Sequence, residues 1–176
     1  EPLFGNFFFG TDQIGRDMLS MLIYGARNMI ALALLTTGCA FGLGSLLGFL
    51  AATMGGWVDQ GLSRFVDVVI SIPTLIFALI VLSSTGTSIF ALVTVIAIIY
   101  AMPVYRIARA VAMDIEVMDY VEAARLRGEG LWWIMRKEIL PNALTPLAAE
   151  FGLRFCFVFL LISGLSFLGL GLQPPL

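Results

Sequence analysis

The sequence holds 176 residues, 60% of them hydrophobic and 12% charged, with a formal net charge of -2. A soluble globular domain carries about 25% charged residues, so this composition excludes that class and indicates an integral membrane protein. Histidine is absent, which removes the commonest metal ligand and the usual general base, and the two cysteines, Cys39 and Cys156, lie inside apolar runs.

The chain opens on "EPLFGNFFFG", with no initiator Met, basic n-region or cleavage pattern, so no signal peptide is read there. With the abrupt stop at "LGLGLQPPL", this predicts a piece, or an ordered core, of a longer polypeptide. In "GTDQIGRDMLSMLIYGAR", Ile14, Met18 and Met21/Leu22 recur at helical spacing, and Asp12 precedes Arg16 by four. The pattern predicts a short amphipathic helix at the outer interface, capped by Thr11 or Asp12.

Four apolar runs reach the roughly 20 residues that a helix needs to cross a bilayer. They are expected at about Asn28 to Met54, Val66 to Ser84 with a break at Pro73, Ser88 to Tyr105 with Pro103 near the end, and from Pro141 to about Leu172. None alternates as a barrel strand does, so an all-α polytopic bundle is expected. In the first run, Gly38, Gly42, Gly44, Gly48 and Ala52 form small-xxx-small steps that let helix backbones approach closely.

Arg64 falls between runs one and two; Arg106, Arg109, Arg125, Arg127, Arg136 and Lys137 fall between runs three and four. The opposite side has only Arg16 and Arg27, so the positive-inside rule predicts that the loop 106–140 is cytoplasmic. In that loop, Asp119 and Glu122 have capping-box spacing and predict a helix from Tyr120. Ala123 and Ala124 would give it a low, smooth patch, and Gly128 and Gly130 would end or bend it. Leu131, Ile134 and Met135, with Trp132 and Trp133, predict an interfacial helix, after which Pro141 starts the last span.

The stretch "EAARLRGEGLWWIMRKEILP" resembles the EAA loop of binding-protein-dependent ABC importers: E-A-A, three residues, G, nine residues, I-x-L-P. Glu122, Ala123, Ala124, Gly128, Leu140 and Pro141 are in register, and Glu138 replaces the isoleucine. "GTDQIGRDMLSMLIYGAR", "GGWVDQGLSRFVD" and "SGLSFLGLGLQPP" are similar to the dipeptide/oligopeptide branch and occur in its order.

The resemblance implies a type I importer permease fold in a bacterial inner membrane, one permease domain over 1–176 without the family's first and last spans. It implies a homologous second permease, two cytoplasmic ATPases, an extracytoplasmic solute-binding protein and surrounding lipid as partners, and no nucleic acid. ATP and magnesium would belong to the ATPases, and this chain would hold no cofactor. Residues 119–140 would form the coupling loop, with Tyr120, Glu122, Ala123, Ala124, Arg127 and Gly128 as its contact residues. Peptide is the solute implied, with nickel, opines or sugars as alternatives.

Met21 replaces a frequent arginine of this family, Ile162 a frequent glutamate, and Glu150 and Arg154 bring charge into the last span. That pair is a candidate for the translocation path or for a structural ion pair. It also leaves a self-contained channel or secondary transporter as a competing reading. A membrane enzyme competes less well, since Ser71, Ser163 and Ser166 have no base beside them, and no P-loop is present.

Overall fold

The computed structural model describes residues 9–11, 15–86 and 88–171. Among them the chain is helical apart from turns and one isolated bridge between Thr11 and Asp17.

The first helix, α1, runs unbroken from Met18 to Met54. Asp17 caps it, accepting from the amides of Leu19 at 3.2 Å and Ser20 at 3.3 Å, and Ser20 Oγ donates to it at 2.6 Å. The Ser20 hydroxyl, followed by those two amides, holds the Asp17 carboxyl below its ordinary range. The expected separate amphipathic helix is therefore corrected: from Met18 onward it is the first part of α1, and Asp17, not Thr11 or Asp12, is the cap. No proline interrupts the stretch, so the helix propagates through it. Asp12 and Ile14 lie outside the described residues.

The second expected span is not a straight helix. Helix α2 covers Gly56–Ile70 and α3 covers Thr74–Thr85, and their axes meet at 87°. Pro73 cannot continue α2 and disfavours helix at Ile72, so the chain turns there. At 1.5 Å per residue, α3 is about 18 Å long, against the roughly 30 Å of a hydrocarbon core.

Helix α4 runs from Ile89 through Pro103 to Glu116, eleven residues past the expected stop at Tyr105. Arg106 and Arg109 do not end it, because they reach carboxylates on α2. Among the described residues three helices are long and apolar enough to cross a membrane, or four spans if the bent pair counts as one.

The last span also begins earlier than expected. Helix α6 (Leu131–Ile134), a π turn (Met135–Ile139) and α7 (Leu140–Phe167) follow one another without a break. Pro141 has no amide to offer the preceding turn. The ladder widens just before it, with Leu140 N–H donating to the Met135 carbonyl five residues back.

Helices α1 and α4 run side by side in the same direction, with Gly44 against Ala101 and Val104, and Gly48 against Tyr105 and Ala108. Helix α7 returns antiparallel, with Phe41 edge-on to Phe151 at 5.1 Å. One core layer gathers Leu32, Ile96 and Ile162; another gathers Phe49, Ala112, Ile134 and Ile139 at the end that carries the polar loop.

Candidate docking site at the loop end of the bundle

Helix α5 spans Asp119–Leu126 and follows α4 after a two-residue turn. The expected capping box does not form: Met118 is the N-cap, and Asp119 is already the first helical residue. Asp119 and Glu122 therefore both lie in the first turn, where carboxylates suit the positive end of the helix dipole. The C-terminus ends as the glycines require. Gly128 takes φ +82°, its amide donates to the Arg125 carbonyl at 2.9 Å, and Glu129 N–H donates to Ala124 at 3.2 Å. This is a Schellman closure, and the positive φ is what calls for glycine.

The inner face of α5 is Val121 and Ala124, both wholly buried against Ala112, Ile115, Ile134 and Ile139. The expectation that Ala123 and Ala124 share an exposed patch thus holds for Ala123 alone. Their 100° separation on the helix places Ala124 under α5 and Ala123 outside it. Tyr120, Glu122, Ala123 and Leu126 face outward, with Leu126 84% exposed and Val117 on the preceding turn 82% exposed.

Two further contacts fix the helix. Arg125 pairs with Glu116 at the end of α4. The Arg127 guanidinium sits 5.9 Å from the Trp133 ring centroid. Arg127 thus ties α5 to α6, and its charge stays at the surface. The result is a short helix pinned on one face and offering small and apolar groups with a carboxylate on the other.

A polar ladder that the expected motifs do not include joins α2 to α4. Asp59, Ser63 and Asp67 recur every four residues on α2 and meet Arg109, Tyr105 and Arg106 of α4. Asp59 takes both Arg109 donors in a bidentate pair. Ser63 Oγ and Tyr105 Oη are 2.9 Å apart, and Arg106 reaches Asp67 at 2.8 Å. The sequence signal for it is the acid–Ser–acid repeat on one helical face, and the two arginines serve in pairing as well as in sidedness.

The Asp59–Arg109 pair is partly buried, whereas both partners of Asp67–Arg106 are about half exposed. Arg109→Leu should therefore lower the stability of the detergent-purified chain by about 1.5–3 kcal/mol. Arg106→Leu should change it by about 1 kcal/mol or less. Equal melting shifts for the two variants would contradict the difference in burial.

Glu150 and Arg154 do pair, at 2.6 Å along one face of α7. Arg154 also borders a cavity of about 110 Å³ beside the α2–α3 bend, with Ile72, Thr74 and Tyr100. They lie on α7, well separated in sequence from α5. An unpaired charge in a span costs about 2.5–3.5 kcal/mol on insertion scales, so Arg154→Leu should impair insertion and assembly. Glu150→Arg with Arg154→Glu should restore both. Uptake that stays lost in the reversed pair, with assembly intact, would move Arg154 from scaffold to solute path.

The model of the family described as "Binding-protein-dependent transport system inner membrane component" matches residues 44–176. The chain belongs to that family. Among this permease's relatives, the probable D,D-dipeptide transport system permease protein of Escherichia coli K12 is 36% identical, over 96% of this chain and 56% of that protein. The di/tripeptide transport system permease protein of Pseudomonas aeruginosa UCBPP-PA14 is 37% identical over the same shares. The chain thus spans about half the length of the curated relatives it matches. A solved structure titled "Crystal structure of an amino acid ABC transporter with histidines" superposes with a TM-score of 0.52 at 26% identity. That match covers 88% of this chain and 77% of the other. The type I permease fold expected from the resemblance is the one found.

Proposed function

We propose that this chain forms the membrane path of an ATP-driven importer together with a homologous second permease subunit, and that its solute is a peptide delivered by an extracytoplasmic binding protein. The observation that carries the reading is α5: a helix braced by Glu116, Trp133 and the core, with Tyr120, Glu122, Ala123 and Leu126 left facing outward. A connector resting on lipid needs no such bracing. A part that takes force from another protein does.

Glu122 then pairs with a basic group in a groove of a cytoplasmic ATPase, and Ala123 lets the two backbones come close. ATP and magnesium sit on the two ATPases, and the loop 106–140 faces the cytoplasm of a bacterial inner membrane. The family match and the peptide-permease names of the relatives support this assignment.

The test is the full-length complex in proteoliposomes. Peptide-loaded binding protein on the side opposite α5 should stimulate ATP hydrolysis and peptide uptake together. A cysteine in place of Arg127, with Cys39 and Cys156 removed, should react with an impermeant thiol reagent only from the ATPase side. Peptide uptake without any co-purifying ATPase would instead establish a secondary transporter.

A further inference from the structure

A groove between α1 and the α6–α7 helix plays no part in the reading above. It encloses about 540 Å³ and is lined by Phe41, Gly42 and Phe49 on one wall and Leu144, Phe151 and Trp132 on the other. Phe41 and Phe151 meet edge-to-face across the end remote from α5. At the α5 end stands Arg136, exposed and without an ion pair or hydrogen bond among the described residues. The floor is open at Gly42, where a Cβ would meet nothing within 4 Å. The wall beside Arg136 is the π turn, a geometry that recurs at functional sites.

We infer that this groove holds an acyl chain of an anionic phospholipid, with the lipid phosphate on Arg136. The chemistry of the walls selects that occupant. No carboxylate is among the described residues that line the groove, so a free peptide would leave its ammonium group unmatched. A neutral lipid tail would fill the apolar part but leave the guanidinium without a counter-charge. An anionic lipid satisfies both ends, and basic pockets between membrane helices bind such headgroups. Trp132, beside Arg136, suits the depth at which headgroup gives way to tail.

The experiment uses the assembled permease complex in vesicles of phosphatidylcholine with a minor share of phosphatidylglycerol. One of the two lipids at a time carries a diazirine on its acyl chain, and crosslinked residues are mapped by mass spectrometry. Per lipid, phosphatidylglycerol should label the groove walls about fivefold more than phosphatidylcholine, as one basic group at the surface implies. Arg136→Gln should erase the preference while leaving tail labelling. Gly42→Phe should remove labelling of both kinds, since it fills the groove from an open position. Inorganic phosphate should not compete. Equal labelling by the two lipids, a preference that survives Arg136→Gln, or competition by free phosphate would each overturn the assignment. So would labelling unchanged in Gly42→Phe. Absent labelling in the wild-type complex would mean that protein fills the groove, and would overturn it as well.

Discussion

Gly48→Leu should drive α1 and α4 apart and sharply lower the thermal stability of the chain. A Cβ at position 48 would lie 2.8 Å from both the Arg109 amide nitrogen and the Tyr105 carbonyl oxygen, and 2.9 Å from Ala108 Cβ. Two of those neighbours are backbone, so no rotamer change makes room. Gly44 is as tight, 2.6 Å from the Ala101 carbonyl. In lipid, helix association rests on close packing rather than on escape from water, which makes such approaches the main source of cohesion. Overpacking a core costs about 1–3 kcal/mol and occasionally more; with helix backbone as the obstacle, about 3 kcal/mol is expected. Gly38→Leu serves as the control, because a Cβ there meets nothing within 4 Å. Thermal denaturation in detergent should separate the two variants clearly. If they melt together, the α1–α4 contact is not where the bundle gains its stability.

The second large effect divides neighbouring alanines. Ala124→Trp should detach α5 from the bundle, since Ala124 is fully buried among Val121, Ile134 and Ile139. Ala123→Trp should leave the chain folded, because that position is exposed. It should nonetheless weaken ATPase co-purification by at least about tenfold, the scale of a residue at the centre of a packed interface. Glu122→Lys should act in the same way without any change in melting. Gly128→Val belongs with Ala124→Trp, because a β-branched residue at φ +82° is strained and the helix end must rearrange. The measurement is ATP hydrolysis stimulated by loaded binding protein, beside a melting curve for each variant. Normal coupling in Ala123→Trp and Glu122→Lys would remove the docking role and leave α5 as a connector.

Much of this molecule could be read before its coordinates. Apolar run length located three long helices, and the loop carrying Glu122 and Gly128 stood out by its charge. What periodicity could not supply was contact between distant segments. Arg109 in a row of residues reads as a boundary; only its meeting with Asp59, fifty residues earlier, shows why α4 continues past it. Pro73 and Pro141 carry the same local signal, yet one turns the chain by 87° and the other sits in a continuous helix behind a π turn. Proline forbids a hydrogen bond, but the packing around it decides whether the ladder bends or widens. Ala123 and Ala124 differ in the same way: small size is visible in sequence, while the side of the helix that meets the core is set by α4 and the π turn.

The bend at Pro73 also decides what can lie against the start of α3. After it, the amides of Thr74, Leu75 and Ile76 open α3 with no partner in their own helix and, among the described residues, no side-chain cap, and all three residues are exposed. In hydrocarbon each bare donor would cost several kcal/mol, so water or neighbouring protein, rather than lipid tails, meets this corner. Helix α2 leads into this corner with Trp57 and Phe65 outward and its acid–Ser–acid face against α4. At about 18 Å, α3 alone is too short to insulate a hydrocarbon core of roughly 30 Å, so the flank at its Pro73 end must be completed by water or by neighbouring protein.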